Sequence, residues 1–132
     1  MEDYVEVVYE LILEKGAAQI VDISAHLNVS APTATKMVQK LADEGLVAYE
    51  RYRAVSLTPA GTELAKRLRR RHDVLTTFLK LLGVDDAAAH HATEGIEHHL
   101  EGEVLARLEE LVEFAQAHPE WWAKARGKGL QP

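Results

Sequence analysis

The 132-residue chain contains no cysteine, which excludes disulfides, thiolate catalysis and any metal knuckle built on sulfur. It also lacks a run approaching the roughly 18 uncharged apolar residues that a membrane span requires, so no membrane partner is expected. A basic leader is missing too. Glu2, Asp3 and Glu6 stand where a signal peptide would carry positive charge. Repeats and low-complexity stretches are absent. Together these absences are consistent with a cytoplasmic protein. The hydrophobic content of 47% is ordinary for a folded soluble chain. The length fits one domain, or a small domain plus an element whose core a partner completes.

Net charge is −6, the wrong sign for a nucleic-acid binder, but it is unevenly spread. Residues 31–71 hold nine Lys/Arg against four acids, a net +5, whereas residues 72–132 hold five against eleven, a net −6. A basic front and an acidic back suggest two tasks in one chain, although a mixed surface alone could give the same asymmetry.

Tyr4, Val5, Val8, Leu11 and Ile12 fall at helical spacing and predict a helix over 3–15, stopped by Gly16. A second helix is expected from about Val21 to Leu27, then a turn at Asn28-Val29. Ser30 caps a third helix, with Pro32 in its first turn, where a missing N–H costs nothing. Ala34, Met37, Val38 and Leu41 face inward on it, and Gly45 ends it. The runs 46–50 and 54–58 are β-prone and flank the basic tip Arg51-Tyr52-Arg53, so they read as a hairpin. Thr58-Pro59 opens a long helix to about Leu82, with Gly83 as its stop. Asp85 is a candidate cap for the next helix, which spans the His90–Leu100 region, and Gly102 breaks the chain. An amphipathic helix over 103–117 follows, then a short one from Pro119 carrying Trp121 and Trp122, with a frayed tail over 127–132.

Helix, helix, turn, helix and hairpin is the order of a winged helix-turn-helix. The fold class expected is mainly α with a small β-hairpin wing. The winged domain covers 1–71, an all-α dimerisation domain covers 72–132, and the fourth helix, about 59–82, links them. The third helix would enter the major groove, presenting Ser30, Pro32, Thr33, Thr35, Lys36, Gln39 and Lys40. Arg51 and Arg53 of the wing would reach phosphate or the minor groove. A solvated polar helix beside a surface hairpin has the same pattern, and winged folds also serve as protein-interaction modules.

The acidic half holds the most informative segment. On a helix, Glu94, Glu97 and His98 sit at i, i+3 and i+4 and share one face, two carboxylates and an imidazole in metal-ligand array. Asp3 and Glu6 form a second i, i+3 acidic pair, and His72 follows the basic run ending at Arg71. Each has a plain alternative: acids at a helix start complement its dipole, a lone His is commonly structural, and Glu94/Glu97 could be a solvated face. His99 lies about 100° around the helix from His98. His90 and His91 precede the triad by about a turn and read as surface residues, or as residues supporting ligands from behind.

With these segments assembled, the chain resembles the manganese transport regulators (MntR) of the DtxR superfamily of iron- and manganese-dependent repressors. The resemblance covers essentially the whole chain. It is carried by Ser-Ala-Pro-Thr-Ala-Thr-Lys-Met-Val-Gln-Lys-Leu (30–41), Tyr-Glu-Arg-Tyr-Arg (49–53), Leu-Thr-Pro-Ala-Gly (57–61), Val-Asp-Asp (84–86) and Glu-Gly-Ile-Glu-His-His-Leu (94–100). It implies metal-ligand roles for Asp3, Glu6, His72, Glu94, Glu97 and His98. Iron-sensing members use Met and Cys where this chain has Asp3 and Glu94, and hard oxygen in place of soft sulfur favours Mn²⁺. Those members also carry an SH3-like C-terminal domain, for which 132 residues leave no room. The four carboxylates sum to −4 when ionised, which two Mn²⁺ per subunit would balance.

The function expected is a manganese-responsive transcriptional regulator and not an enzyme. Bound metal would tie the reading heads of a homodimer at a spacing suited to a palindromic operator, and so repress manganese-uptake genes. The competing readings are a winged-helix regulator answering to another metal or an organic effector, and a dinuclear metallohydrolase.

Overall fold

The computed structural model describes residues 2–129. They fall into two compact units that divide between Arg69 and Arg70. The end of the expected frayed tail, residues 130–132, lies outside the described residues.

The first unit is built from α1 (Glu2–Lys15), α2 (Ile20–Leu27), α3 (Ala31–Asp43), β1 (Val47–Ala48), β2 (Ser56–Leu57) and the start of α4 (Pro59–Leu81). Each helix of the trio contributes one apolar stripe to a single core: Val5, Val8 and Leu11 from α1, Ile23 from α2, and Ala34, Val38 and Leu41 from α3. The stops act as their chemistry requires. Gly16 and Gly45 take left-handed φ values of 79° and 78°, and Asn28 does the same at 55° between α2 and α3. Ser30 caps α3, its Oγ accepting from the Thr33 N–H at 3.2 Å.

The hairpin is shorter than the two five-residue runs suggested. It pairs Val47 with Leu57 and Ala48 with Ser56, antiparallel, and no further. Val47 and Val55 are buried in the core, Leu46, Tyr49 and Leu57 pack against it, and Val55 bridges to Ala18 instead of extending the ladder. Thr58 locks the wing to α4: its Oγ1 donates to Gly45 O at 2.7 Å and accepts from the Gly61 N–H at 3.1 Å. Gly61 is needed here because a Cβ would lie 1.9 Å from Leu46 O.

The second unit holds the rest of α4 with α5 (Asp86–Ile96), a 3₁₀ turn (Glu97–His99), α6 (Gly102–Ala117) and α7 (Pro119–Gly129). Asp85 caps α5, accepting from the Ala88 N–H at 2.8 Å. The single helix expected through His90–Leu100 is corrected: α5 ends at Ile96, and an i+3 bond from Leu100 N–H to Glu97 O tightens the last turn. Gly102, at φ 57°, opens α6 and is not merely a break before it. Val74 of α4 packs with Leu105 and Val112 of α6, and Arg70 grips Glu109 with two hydrogen bonds. α7 runs through Gly127 to Gly129, farther than the tail reading allowed. Its Trp122 and Arg126 donate to Leu81 O and Leu82 O at 2.9 and 2.7 Å, satisfying carbonyls that the end of α4 leaves open.

Candidate metal centre and nucleic-acid interface

α4 and α5 meet along a polar seam with helical periodicity. His72, Thr76 and Lys80 lie four residues apart on α4. Thr76 Oγ1 is 2.9 Å from Thr93 Oγ1 in the buried middle, and Lys80 Nζ is 3.0 Å from Asp86 Oδ1 at one end. The hydrogen bond from Lys80 holds the Asp86 carboxyl below its ordinary pKa. At the other end His72 Nδ1 lies 2.9 Å from Glu97 Oε2. Glu97 is only 6% exposed, so its charge requires a cationic or hydrogen-bonding partner.

The expected triad is split by burial: Glu97 is buried while Glu94 and His98 stay at the surface. Of the six expected ligands the structure brings His72 and Glu97 into contact. Asp3 and Glu6 sit in the first two turns of α1, Asp3 exposed and Glu6 half-buried. Among the described residues no group of three or more His, Asp or Glu side chains is arranged to hold a metal. The pair that is assembled, an imidazole nitrogen against a buried carboxylate oxygen, has the donor chemistry of a divalent-cation site.

His90, ranked lower from the sequence, belongs to the same cluster. Its Nδ1 is 3.0 Å from His72 Nε2, and the two rings stack with centroids 5.2 Å apart. The signal for it was the i, i+4 spacing of Asp86 and His90, which identifies a face but not what the face meets.

In the first unit, Ser30, Pro32, Thr33, Lys36, Gln39 and Lys40 are exposed on α3, and Thr35 is half-buried. Thr35 and Gln39 share a cleft of about 560 Å³ with Arg51 and Arg53 of the wing. Helix face and wing therefore border one groove. Ser30 is partly committed, since its hydroxyl donates to Thr33 Oγ1 at 2.8 Å as well as capping the helix. Arg53 pairs with Glu50 at 3.3 Å. Tyr52 was missed. It is 88% exposed at the wing tip, held at φ 69°, with the Arg51 guanidinium 5.0 Å from its ring centroid. An aromatic between two arginines was the sequence signal available.

Two family models divide the chain. Residues 1–55 match the iron dependent repressor N-terminal DNA binding domain, and residues 58–121 match its metal binding and dimerisation domain. The HTH-type transcriptional regulator MntR of Listeria monocytogenes serotype 4a is 46% identical over 91% of this chain and 84% of its own. The chain belongs to the iron-dependent repressor family. Another regulator named MntR, from Lysinibacillus sphaericus, is 44% identical over 91% of this chain and 86% of its own. A solved manganese-dependent transcriptional repressor in complex with manganese superposes with a TM-score of 0.75 at 32% identity, covering 86% of this chain. This chain spans about half the length of that structure, 52%. As an iron-dependent repressor family member, the chain is a transcriptional regulator with a DNA-binding unit and a unit for divalent metal and dimerisation. No helix among the described residues is long and apolar enough to cross a membrane.

Proposed function

We propose that this repressor responds to manganese, binding two Mn²⁺ per subunit through Asp3, Glu6, His72, Glu94, Glu97 and His98. The observation that carries the reading is the buried Glu97 carboxylate against His72 Nδ1 at 2.9 Å. A buried anion beside an imidazole is costly unless a proton or a cation lies between them. His72 and Glu97 would hold the metal from inside. Glu94 and His98, exposed on the same stretch of chain, would close the site from outside. A bound ion would neutralise carboxylates that otherwise repel one another. Four oxygen-bearing side chains against two imidazoles suit a hard ion, and selectivity rests on this donor set because Mn²⁺ binds most weakly of the common first-row ions. Support for Asp3 and Glu6 comes from their spacing and from the family resemblance.

On this reading residues 1–71 read DNA and residues 72–132 sense metal and dimerise. The ligand set draws on both stretches, so metal biases the reading heads of a cytoplasmic homodimer toward a palindromic operator. Manganese-loaded protein would then repress manganese-uptake genes, with no catalytic turnover. Calorimetric titration with Mn²⁺ tests the site. Two ions per subunit, with binding lost in Glu97→Ala, are expected; saturation at one ion would defeat the two-metal arrangement, and undiminished binding by the variant would remove Glu97 from it.

A further inference from the structure

The tip of the wing breaks a local rule. Glu50 to Arg53 form a four-residue turn, closed by the Arg53 N–H donating to Glu50 O at 3.0 Å. Of its two central residues only Tyr52 has a positive φ, 69°, and a turn of that pattern favours Gly or Asn there. Tyr52 is also 88% exposed, so packing against the described residues does little to offset the strain. Such conflicts persist where a site needs the side chain. We infer that Tyr52 is a positioning residue that holds the Arg51 guanidinium for entry into a narrow, A·T-rich minor groove. That groove would lie beside the major groove facing α3. The inference rests on the DNA-binding unit that the family match establishes, and not on the manganese reading.

The two wing arginines are committed differently. Arg53 pairs with Glu50 at 3.3 Å and braces the ends of the turn. Among the described residues Arg51 has no acidic partner, and its guanidinium carbon stands 5.0 Å from the Tyr52 ring centroid. A ring face attracts the cation without engaging its N–H donors, as a carboxylate would. The guanidinium is therefore oriented while its donor edge stays open. Arg51 and Tyr52 line the same cleft as Thr35 and Gln39 of α3, so the pair adjoins the face expected to read bases.

The chemistry of the minor groove matches this arrangement. The groove is about 6 Å wide, and A·T pairs present only acceptors in it, whereas a G·C pair adds an amino donor. A·T tracts narrow it further and deepen its negative potential, which draws in arginine. A guanidinium has donors and no acceptor, so Arg51 suits an A·T floor and meets a like donor over G·C. Holding the long side chain beforehand lessens the ordering entropy lost on binding. The exposed part of the Tyr52 ring is left to face the sugars at the groove mouth.

The test uses the full chain and fluorescence anisotropy on a palindromic promoter fragment, with and without Mn²⁺, at several salt concentrations. The base pairs flanking each half-site are made A·T, I·C or G·C, since inosine lacks only guanine's minor-groove amino group. Wild type should bind the A·T and I·C fragments alike and the G·C fragment more weakly, on the order of tenfold. Tyr52→Asn, which tolerates left-handed backbone, should lose most of that preference, and Tyr52→Phe should keep it. Arg51→Gln should abolish the preference and reduce the salt slope by about one. The double variant should lose less affinity than the two single losses combined, because the ring acts through that cation. A preference seen with or without Mn²⁺ supports the inference equally, whatever becomes of the manganese reading. Equal wild-type affinity for all three flanks would overturn it. So would a full A·T preference in Tyr52→Asn, its loss in Arg53→Gln but not Arg51→Gln, or no binding by wild type in either condition.

Discussion

A carboxylate as enclosed as Glu97 faces a desolvation cost of several kcal/mol unless its charge is met, and His72 is the group that meets it. Surface pairs in the same unit have a different character. Arg70 forms a fork on Glu109, and its hydrogen bond and charge hold the Glu109 carboxyl below its ordinary pKa. The folded state then binds the Glu109 proton less readily than the unfolded state. Its stabilisation is present above the ordinary carboxylate pKa and is lost as pH falls through the lowered folded value. Denaturant unfolding of wild type and Glu109→Gln across that range should show a wild-type advantage at neutral pH that vanishes in acid; an advantage that grows on acidification would contradict the assignment. His72 and Glu97, the two candidate ligands that the structure brings into contact, were legible in the sequence by residue type. The burial of Glu97 was not, because spacing identifies a shared face but not which residue on it a neighbouring helix covers.

Helix starts and stops were the most legible elements, since Ser30, Asp85, Gly16 and Gly45 each act through local chemistry visible in the sequence. The length of the wing was not, because β-propensity marks the runs 46–50 and 54–58 but does not set how far they pair, here only 47–48 with 56–57. Two elements yield tests. α4 passes so close to Leu46 that Gly61→Ala should lower stability by about 1–3 kcal/mol, read from urea unfolding; no change would show that the start of α4 can shift. At the wing tip a tyrosine in left-handed backbone costs about 1–2 kcal/mol that glycine would not. Tyr52→Gly should therefore leave stability level or raised while weakening operator binding, measured by fluorescence anisotropy. Unaltered binding would show that the exposed ring does not touch DNA.

At the scale of the whole molecule, α6 divides its apolar stripe. Leu105, Val112 and Ala115 are buried within the unit, whereas Val104, Leu111 and Phe114 remain exposed. A dimerisation domain is expected to leave such a surface, and the amphipathic character of the 103–117 stretch was legible in the sequence. The basic α3 and wing lie in the first unit, and His72 and Glu97 lie in the second. The central claim is that metal at the second governs DNA binding by the first. The direct measurement is titration of the full chain onto a palindromic promoter fragment, with and without Mn²⁺, at one fixed ionic strength. Tight binding that requires Mn²⁺ and disappears in Glu97→Ala is the predicted result. Equal binding with and without Mn²⁺ would leave a DNA-binding protein but contradict the metal switch.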